Sequence, residues 1–143
     1  MQVRPLESRD RADWLDLFNA YIEFYQAVVA PEVIELTFSR LLGGEMLGLV
    51  AVDDDDRPVG LAHSLFHRST WSATGYCYLE DLYVAPHVRG RGLGRALIEA
   101  VYRAADERTC TRTYWVTRED NAAARALYDS LAAKSPFVQY RRN

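Results

Sequence analysis

One stretch of the chain joins a strand, a glycine-rich turn and the start of a helix: Tyr78-Leu-Glu-Asp-Leu-Tyr-Val-Ala-Pro-His-Val-Arg-Gly-Arg-Gly-Leu-Gly-Arg-Ala-Leu-Ile98. Residues 78–84 favour a strand, and Pro86 ends it because proline cannot donate to a ladder. Beyond the turn, apolar residues recur at helical spacing, at Leu93, Leu97, Ile98, Val101, Tyr102 and Ala105. We therefore predict a strand–turn–helix unit around which the rest of the chain is arranged.

The turn itself, Arg89-Gly-Arg-Gly-Leu-Gly94, is suited to binding an anion. Its glycines permit positive φ and let the backbone approach a ligand closely. The helix that follows presents unpaired N–H groups and a partial positive charge at its start. Arg89, Arg91 and Arg95 add full positive charges. These features predict a site for a phosphate or a pyrophosphate.

The common phosphate-binding motifs do not fit this turn. A P-loop needs Gly-x4-Gly-Lys-Ser/Thr, which is absent, and the dinucleotide fingerprint needs Gly-x-Gly-x-x-Gly early in the chain. Gly90, Gly92 and Gly94 have a different spacing. The pattern that fits is Arg-x-x-Gly-x-Gly from Arg89 to Gly94, and the alternative is an ordinary turn with solvated arginines.

The composition indicates a folded protein. A length of 143 residues suits one domain, and 49% hydrophobic residues argue against disorder. No apolar run approaches the length of a membrane span, and no signal-peptide pattern opens the sequence. We expect a single domain in the cytoplasm with no membrane partner.

Neither the cysteines nor the histidines predict a metal site. Cys77 and Cys110 lack ligand spacing, so we expect reduced structural thiols. His63 and His67 share one face of a predicted strand, but no third ligand accompanies them. Four aspartates at 53–56 lack the spacing of a calcium loop and predict a solvated hairpin tip.

The charge is unevenly divided along the chain. Residues 1–83 carry six arginines against 14 acids, a net −8, whereas residues 84–143 carry 11 Lys/Arg against six acids, a net +5. The basic part suits a polyanionic cofactor, and the acidic part suits a cationic acceptor. Nucleic acid is disfavoured as a partner because no basic stripe is interleaved with aromatic residues.

The first part of the chain predicts one strand and two helices. Residues 3–6 favour a strand, and Ser8 or Asp10 is a candidate cap for the next helix. That helix has a broad apolar face: Trp14, Leu17, Phe18, Tyr21, Tyr25 and Val28. Pro31 and Gly43 fit the two ends of a second helix. Its predicted buried side consists of Val33, Leu41 and Leu42, with Phe38 nearby.

The remaining patterns complete a β-α-α-β-β-β-α-β-α-β order. Residues 46–52 and 59–68 predict two strands around the aspartate turn, and residues 69–75 form a second turn. Residues 112–117 predict a further strand, residues 119–133 the last helix, and residues 137–141 a final strand. The fold class is α/β, with an antiparallel front and one crossover at the back.

Two motifs in the expected order resemble the GCN5-related N-acetyltransferase (GNAT) family. The first is Arg89-x-x-Gly92-x-Gly94 after Leu-Glu-Asp-Leu-Tyr-Val, and the second is Asn121-x-x-Ala124-x-x-x-Tyr128. The chain looks most like the subgroup of yeast histone/polyamine acetyltransferase-like proteins and diamine acetyltransferases, over nearly its whole length. The resemblance implies a mixed, mostly antiparallel, twisted sheet that splays after its fourth strand and is flanked by about four helices. Acetyl-CoA would lie in the splay.

The resemblance also implies roles for individual residues. It places these against acetyl-CoA: Leu82, Tyr83, Val84, Arg89, Gly90, Arg91, Gly92, Leu93, Gly94, Arg95, Asn121, Arg125 and Tyr128. The loop would hold the pyrophosphate, the Val84 N–H would polarise the thioester carbonyl, and Leu82 would hold the pantetheine arm. Asn121 would bind the same arm or cap its helix, and Arg125 would lie near the phosphates.

Acetyl transfer to an amine also needs a base and an acid, because an ammonium of pKa about 10.4 is protonated at neutral pH. By resemblance to the diamine enzymes, Glu80 is the first candidate for the base and Asp81 the alternate. As neighbours on a strand, the two should face opposite ways. Tyr128 is the candidate acid for the leaving thiolate. No cysteine is placed for an acetyl-enzyme, so direct attack in a ternary complex is expected.

The sequence therefore predicts an acetyl-CoA-dependent N-acetyltransferase without a metal. The expected acceptor is a small cationic amine, such as a polyamine or an amino acid, in a pocket formed by Tyr21, Phe24, Tyr25, Glu80 and the 69–75 turn. A protein lysine in an open groove and a non-catalytic acyl-CoA sensor are the alternatives. The apolar last strand could pair across a homodimer.

Overall fold

The computed structural model describes residues 1–143. Its elements, in chain order, are β1 (Gln2–Pro5), α1 (Arg11–Phe24), α2 (Pro31–Leu42), β2 (Leu47–Val52), β3 (Pro58–Ser69), β4 (Ser72–Val84), α3 (Leu93–Glu107), β5 (Arg112–Tyr114) and α4 (Ala122–Leu131). Short 3-10 turns at Ser8–Asp10 and Pro86–Val88 precede α1 and α3. None of the helices is long and apolar enough to span a bilayer.

The five strands form one mixed sheet in the order β1-β2-β3-β4-β5. The first three pairings are antiparallel, and β4 pairs with β5 in parallel. The parallel pair requires a crossover, which α3 supplies. This is the α/β order predicted from the sequence, apart from its last strand.

The core lies on both faces of the sheet. The amphipathic helix α3 buries one stripe, which consists of Leu93, Leu97, Ile98, Val101 and Ala105. On the other face, Trp14 of α1 packs against Phe18 and Phe38, with ring centroids 5.2 and 4.9 Å away. The two helical layers therefore enclose β3 and β4 between them.

The sheet opens between β4 and β5. Their pairing covers only Tyr76–Tyr78 and Arg112–Tyr114, so β4 continues from Leu79 to Val84 with no neighbour on that side. The predicted splay after the fourth strand is thus present. It places a free strand edge immediately before the glycine-rich turn.

Asp56 of the aspartate turn is not simply solvated, because Arg4 links it to Asp10 at the start of α1. Arg4 donates to both oxygens of Asp10, at 2.8 and 2.9 Å, and through Nε to Asp56 at 2.9 Å. Asp10 is 3% exposed, and the guanidinium outweighs the cost of burial and lowers the pKa of its carboxyl. Asp10 occupies the N-cap position of α1, but its side chain makes no capping bond. It instead ties β1 to the helix start.

The second helix buries a stripe displaced from the predicted one. Ile34, Phe38 and Leu41 are buried, whereas Val33 and Leu42 are 47% and 41% exposed. The buried set follows i, i+4, i+7 spacing, which a single helix face can satisfy. The prediction for Val33 and Leu42 was therefore wrong.

The predicted final strand at residues 137–141 does not form. Phe137, Val138 and Tyr140 are 88%, 77% and 93% exposed, and the chain after α4 is irregular. A strand needs a partner edge, and β5 is only three residues long before it diverges from the sheet. The segment consequently extends into solvent without a ladder.

Candidate active site

The free edge of β4 directs two backbone N–H groups into the splay. The N–H of Ala85 donates to the Val59 carbonyl at 2.8 Å, on the β3 side. In an antiparallel ladder, alternate residues bond to the same neighbour. The N–H groups of Leu82 and Val84 therefore point to the opposite side, where β5 has already diverged. These are the two positions that the family resemblance assigned to the cofactor arm and the thioester.

The glycine-rich turn presents a row of unpaired N–H groups. Gly90 and Gly92 both have φ of +80°, and a Cβ on either would meet no atom within 4 Å. Glycine is favoured at both positions because of the positive φ, and not because a side chain would clash. The first backbone bond of α3 runs from Ala96 to the Gly92 carbonyl, and the N–H groups of residues 90–95 have no backbone acceptor. The turn is thus open to an anion.

The three arginines of the turn differ in their contacts. Arg89 donates through Nε to the Val84 carbonyl at 3.0 Å, and its guanidinium lies 5.5 Å from the centre of the Tyr83 ring. Arg95 donates to the Ser130 hydroxyl of α4 at 2.7 Å. Arg91 is exposed and makes neither kind of contact. The first two brace the turn, and the third remains available to a phosphate.

A bulge in β4 places Glu80 and Asp81 differently from the sequence prediction. His63 pairs with Asp81 and Ser64 pairs with Leu79, so Glu80 is an extra residue without a partner on β3. Such a bulge breaks the alternation of a regular strand. Burial is the largest cause of the raised pKa of the Tyr21 phenol, and the negative charges of both carboxylates raise it further. The alternation that would place them on opposite faces is interrupted at Glu80, and both carboxylates lie near Tyr21 at the cleft.

The environment of Glu80 raises the pKa of its carboxyl. The residue is open to solvent on one side, but burial of its carboxylate among protein atoms is the largest cause, followed by the charge of Asp81. The Tyr78 hydroxyl and Arg141 oppose the shift. A raised pKa is the direction that general-base catalysis near neutral pH requires.

His63 is a site residue whose role sequence reasoning missed. Its Nε2 accepts from the Trp14 indole N–H at 2.9 Å, and its Nδ1 lies 2.9 Å from Asp81 Oδ2. His67 instead lies 2.6 Å from the Tyr114 hydroxyl. The two histidines thus serve separate contacts. The available signal was a histidine in the middle of the apolar run Val59-Gly-Leu-Ala-His-Ser-Leu.

Tyr128 lies on the inner side of α4. Its ring packs edge-on against Trp115, with centroids 5.4 Å apart. Burial, followed by the proximity of Tyr25, raises the pKa of Tyr128 to about 12. The phenol therefore holds its proton at neutral pH, as a donor to a thiolate must.

The other two predicted residues of this helix are held at its start. Asn121 occupies the N-cap position without a side-chain capping bond, and its amide donates to the Thr117 hydroxyl at 3.4 Å. Arg125 donates to the Glu119 carbonyl at 2.7 Å. Both side chains are half-buried, next to the diverging end of β5.

Aromatic side chains at the end of α1 and in the residue that follows it form the wall of the cleft opposite α4. The ring of Tyr21 lies 5.0 Å from that of Tyr25 and 6.0 Å from that of Tyr83. The charge of Tyr25 is the second cause of the raised pKa of Tyr128 on α4. Phe24 contacts Tyr25 but is 56% exposed, so it lies at the rim. Tyr21 and Tyr25 are therefore the better placed of the three predicted acceptor contacts.

The 69–75 turn lies away from this cleft. Glu80 lies eight positions after Ser72 on β4, a distance of about 25 Å along an extended strand. Trp71, at the tip, is 88% exposed. The turn does not line the pocket that contains Glu80, contrary to the sequence prediction.

The whole arrangement is that of the acetyltransferase (GNAT) family. Residues 14–132 match the model of this family. The match covers most of the chain, and the chain therefore belongs to the family. It is an N-acetyltransferase of a family that uses acetyl-CoA.

Named relatives support the same assignment. The chain is 38% identical to the D-amino-acid N-acetyltransferase HPA3 of Saccharomyces cerevisiae, over 99% of this chain and 89% of that protein. It is 32% identical to a thialysine N-epsilon-acetyltransferase of Bos taurus, over 88% and 74%. A solved probable acetyltransferase superposes with a TM-score of 0.84 at 25% identity, covering 100% of this chain and 97% of that one.

Proposed function

We propose that this enzyme transfers the acetyl group of acetyl-CoA directly to the primary amine of a small cationic acceptor. The observation that carries the proposal is the shared location of three features. The free edge of β4, the unpaired N–H groups of residues 90–95 and the Glu80–Asp81 pair all adjoin one opening in the sheet.

The residues present fit coenzyme A. The N–H groups of the turn and the Arg91 side chain would hold the pyrophosphate. The N–H groups of Leu82 and Val84 would bond to the pantetheine arm and the thioester carbonyl, where they stabilise negative charge. When bound, acetyl-CoA supplies an activated acetyl group. The chain contributes backbone donors that are already oriented by the rigid β3–β4 pair.

Two side chains would move the protons. Glu80 accepts the proton of the acceptor's ammonium group, directly or through a water, because its pKa is raised toward neutrality. Tyr128 donates its phenolic proton to the leaving thiolate. Its high pKa keeps the proton in place until negative charge appears on the sulfur.

The surroundings of Glu80 favour a cationic acceptor. Asp81 adds a second negative charge, and Tyr78 and Tyr114 carry rings that are attractive to cations, 4.9 Å apart. The relatives named for D-amino acids and thialysine act on small amines. A small amine therefore ranks ahead of a protein lysine.

We further propose that the chain is a single domain that works in the cytoplasm.

The test is the release of free thiol from acetyl-CoA with a panel of polyamines, D- and L-amino acids and lysine peptides. We expect turnover with one class of small amine. Glu80→Gln and Tyr128→Phe should each lower kcat by about 100-fold, the usual contribution of a general base or acid. Glu99→Gln is the matched control, because Glu99 is exposed on α3 and is not part of the cleft.

Two outcomes would contradict this function. Tight binding of acetyl-CoA with no turnover on any amine would favour an acyl-CoA sensor. Turnover restricted to lysine peptides would reassign the acceptor to protein. Full activity in Glu80→Gln at every pH would remove Glu80 as the base while leaving the reaction intact.

A further inference from the structure

His63 is one of three buried polar residues, and it lies in the middle of an otherwise apolar strand. Its ring is 3% exposed and packs between Trp14 and Phe18, with centroids 5.8 and 5.1 Å away. A polar group at this depth is costly unless both ring nitrogens are satisfied. Trp14 and Asp81 satisfy them.

The identity of these partners assigns the ring proton. The indole N–H of Trp14 can only donate, so His63 Nε2 must present its lone pair. The single proton of the neutral imidazole is then on Nδ1, which donates to Asp81 Oδ2. Hydrogen bonds therefore run in one direction, from Trp14 through His63 to the Asp81 carboxylate.

We propose that His63 is a positioning residue that fixes the Asp81 carboxylate at the acceptor end of the cleft, where it binds the ammonium group of the incoming amine. The role of the acceptor rests on the proposed function, whereas the Trp14–His63–Asp81 chain rests on geometry alone. Asp81 is 17% exposed at its side chain, so one oxygen is bound by His63 while the carboxylate still reaches the cleft.

The groups around this carboxylate come from several elements. Tyr21 faces it from α1, Tyr78 and Glu80 adjoin it on β4, and Arg141 approaches Glu80 from the C-terminal segment. None of these replaces the buried donor on β3. Without His63, the Asp81 carboxylate would lose the 2.9 Å hydrogen bond from Nδ1 to Oδ2 and would be free to rotate toward Tyr21 or solvent.

Two substitutions separate positioning from packing. In His63→Asn the amide lies near the place of Nδ1 and can still donate to Asp81. In His63→Gln the amide reaches the place of Nε2 and can accept from Trp14, but Asp81 loses its donor. We expect His63→Gln to raise the KM for the amine about tenfold with an unchanged KM for acetyl-CoA, and His63→Asn to stay near the wild type. Equal effects of the two variants would overturn the proposal.

A second measurement needs neither turnover nor a stable variant. Nitrogen-15 NMR of the wild-type histidine rings at neutral pH should show the His63 proton on Nδ1. A proton on Nε2 would overturn the proposal. If no amine is acetylated by the wild type, the proposed function fails, while the position of this proton still decides whether the Trp14–His63–Asp81 chain exists.

Discussion

At the scale of single residues, Glu80 and Asp81 share one opening because β4 has an extra residue opposite His63 and Ser64. Two carboxylates in one site disfavour each other's ionisation, and burial of Glu80 adds to this effect. We therefore expect Glu80 to be the better base and Asp81, bonded to His63, to be the better fixed anion. The division of roles follows from environment and not from residue type.

Removing the charge of Asp81 should lower the pKa of Glu80. Burial and the Asp81 charge both raise that pKa from its ordinary value of 4.5, so Asp81→Asn removes one of the two causes. A base works only when ionised, and its activity is lost as the pH falls through its pKa. The variant should therefore keep Glu80 ionised to a lower pH. Carbon-13 NMR titration of the Glu80 carboxyl measures this, with Asp106→Asn on α3 as control. An unchanged or higher Glu80 pKa would count against the coupling.

At the scale of elements, the strand, turn and helix of residues 78–98 act together. Arg89 ties the turn back to the last residue of β4, and Arg95 ties the start of α3 to α4. A Cβ on Gly94 would lie 3.2 Å from Leu127 Cδ2, so this glycine lets α4 approach α3. The glycine-rich turn, the free strand edge and Tyr128 are thereby held in a fixed relation.

A substitution in the turn should separate stability from cofactor binding. Gly92→Ala places a side chain at φ +80°, which we expect to cost about 1 kcal/mol of unfolding free energy. The same strain displaces the N–H groups at the start of α3, so the affinity for coenzyme A should fall about tenfold. Gly44→Ala is the matched control, since Gly44 has φ of +82° in open space outside the cleft.

Denaturant unfolding and calorimetric titration with coenzyme A would measure both quantities. Similar stability losses with weaker binding only in Gly92→Ala are the expected result. Equal coenzyme A affinities in the two variants would show that the turn does not hold the cofactor.

At the scale of the whole molecule, sequence patterns predicted most of the fold but not its irregularities. The periodicity of α3 and the motif at residues 89–94 predicted the helix and the turn where they occur. The bulge at Glu80 was not predictable, because register depends on the pairing of β3 with β4 rather than on either strand alone. The His63–Asp81 contact depends on the same pairing and was missed for the same reason.

In the C-terminal segment, the sequence predicted a strand that does not form. Phe137, Val138 and Tyr140 have strand propensity, but propensity forms no strand without a neighbouring edge. Within one chain, the segment finds no such edge. A homodimer in which a second chain supplies it stays a prediction, and light scattering is the measurement that checks it.

The boundary between the acidic and the basic part of the chain, at residues 83 and 84, lies at the end of β4 beside the cleft. No thiol is positioned to carry the acetyl group, since burial of Cys77 raises its pKa to about 11 and Cys110 follows α3, outside the cleft. Direct transfer in a ternary complex therefore stays a prediction.

The most direct test is an initial-rate matrix in which acetyl-CoA and the best amine of the panel are varied together. We predict double-reciprocal lines that intersect, together with thiol release that requires the amine. Parallel lines would indicate an acetyl-enzyme and contradict direct transfer of the acetyl group to the amine. Thiol release at the same rate without the amine would contradict acetylation of an amine altogether.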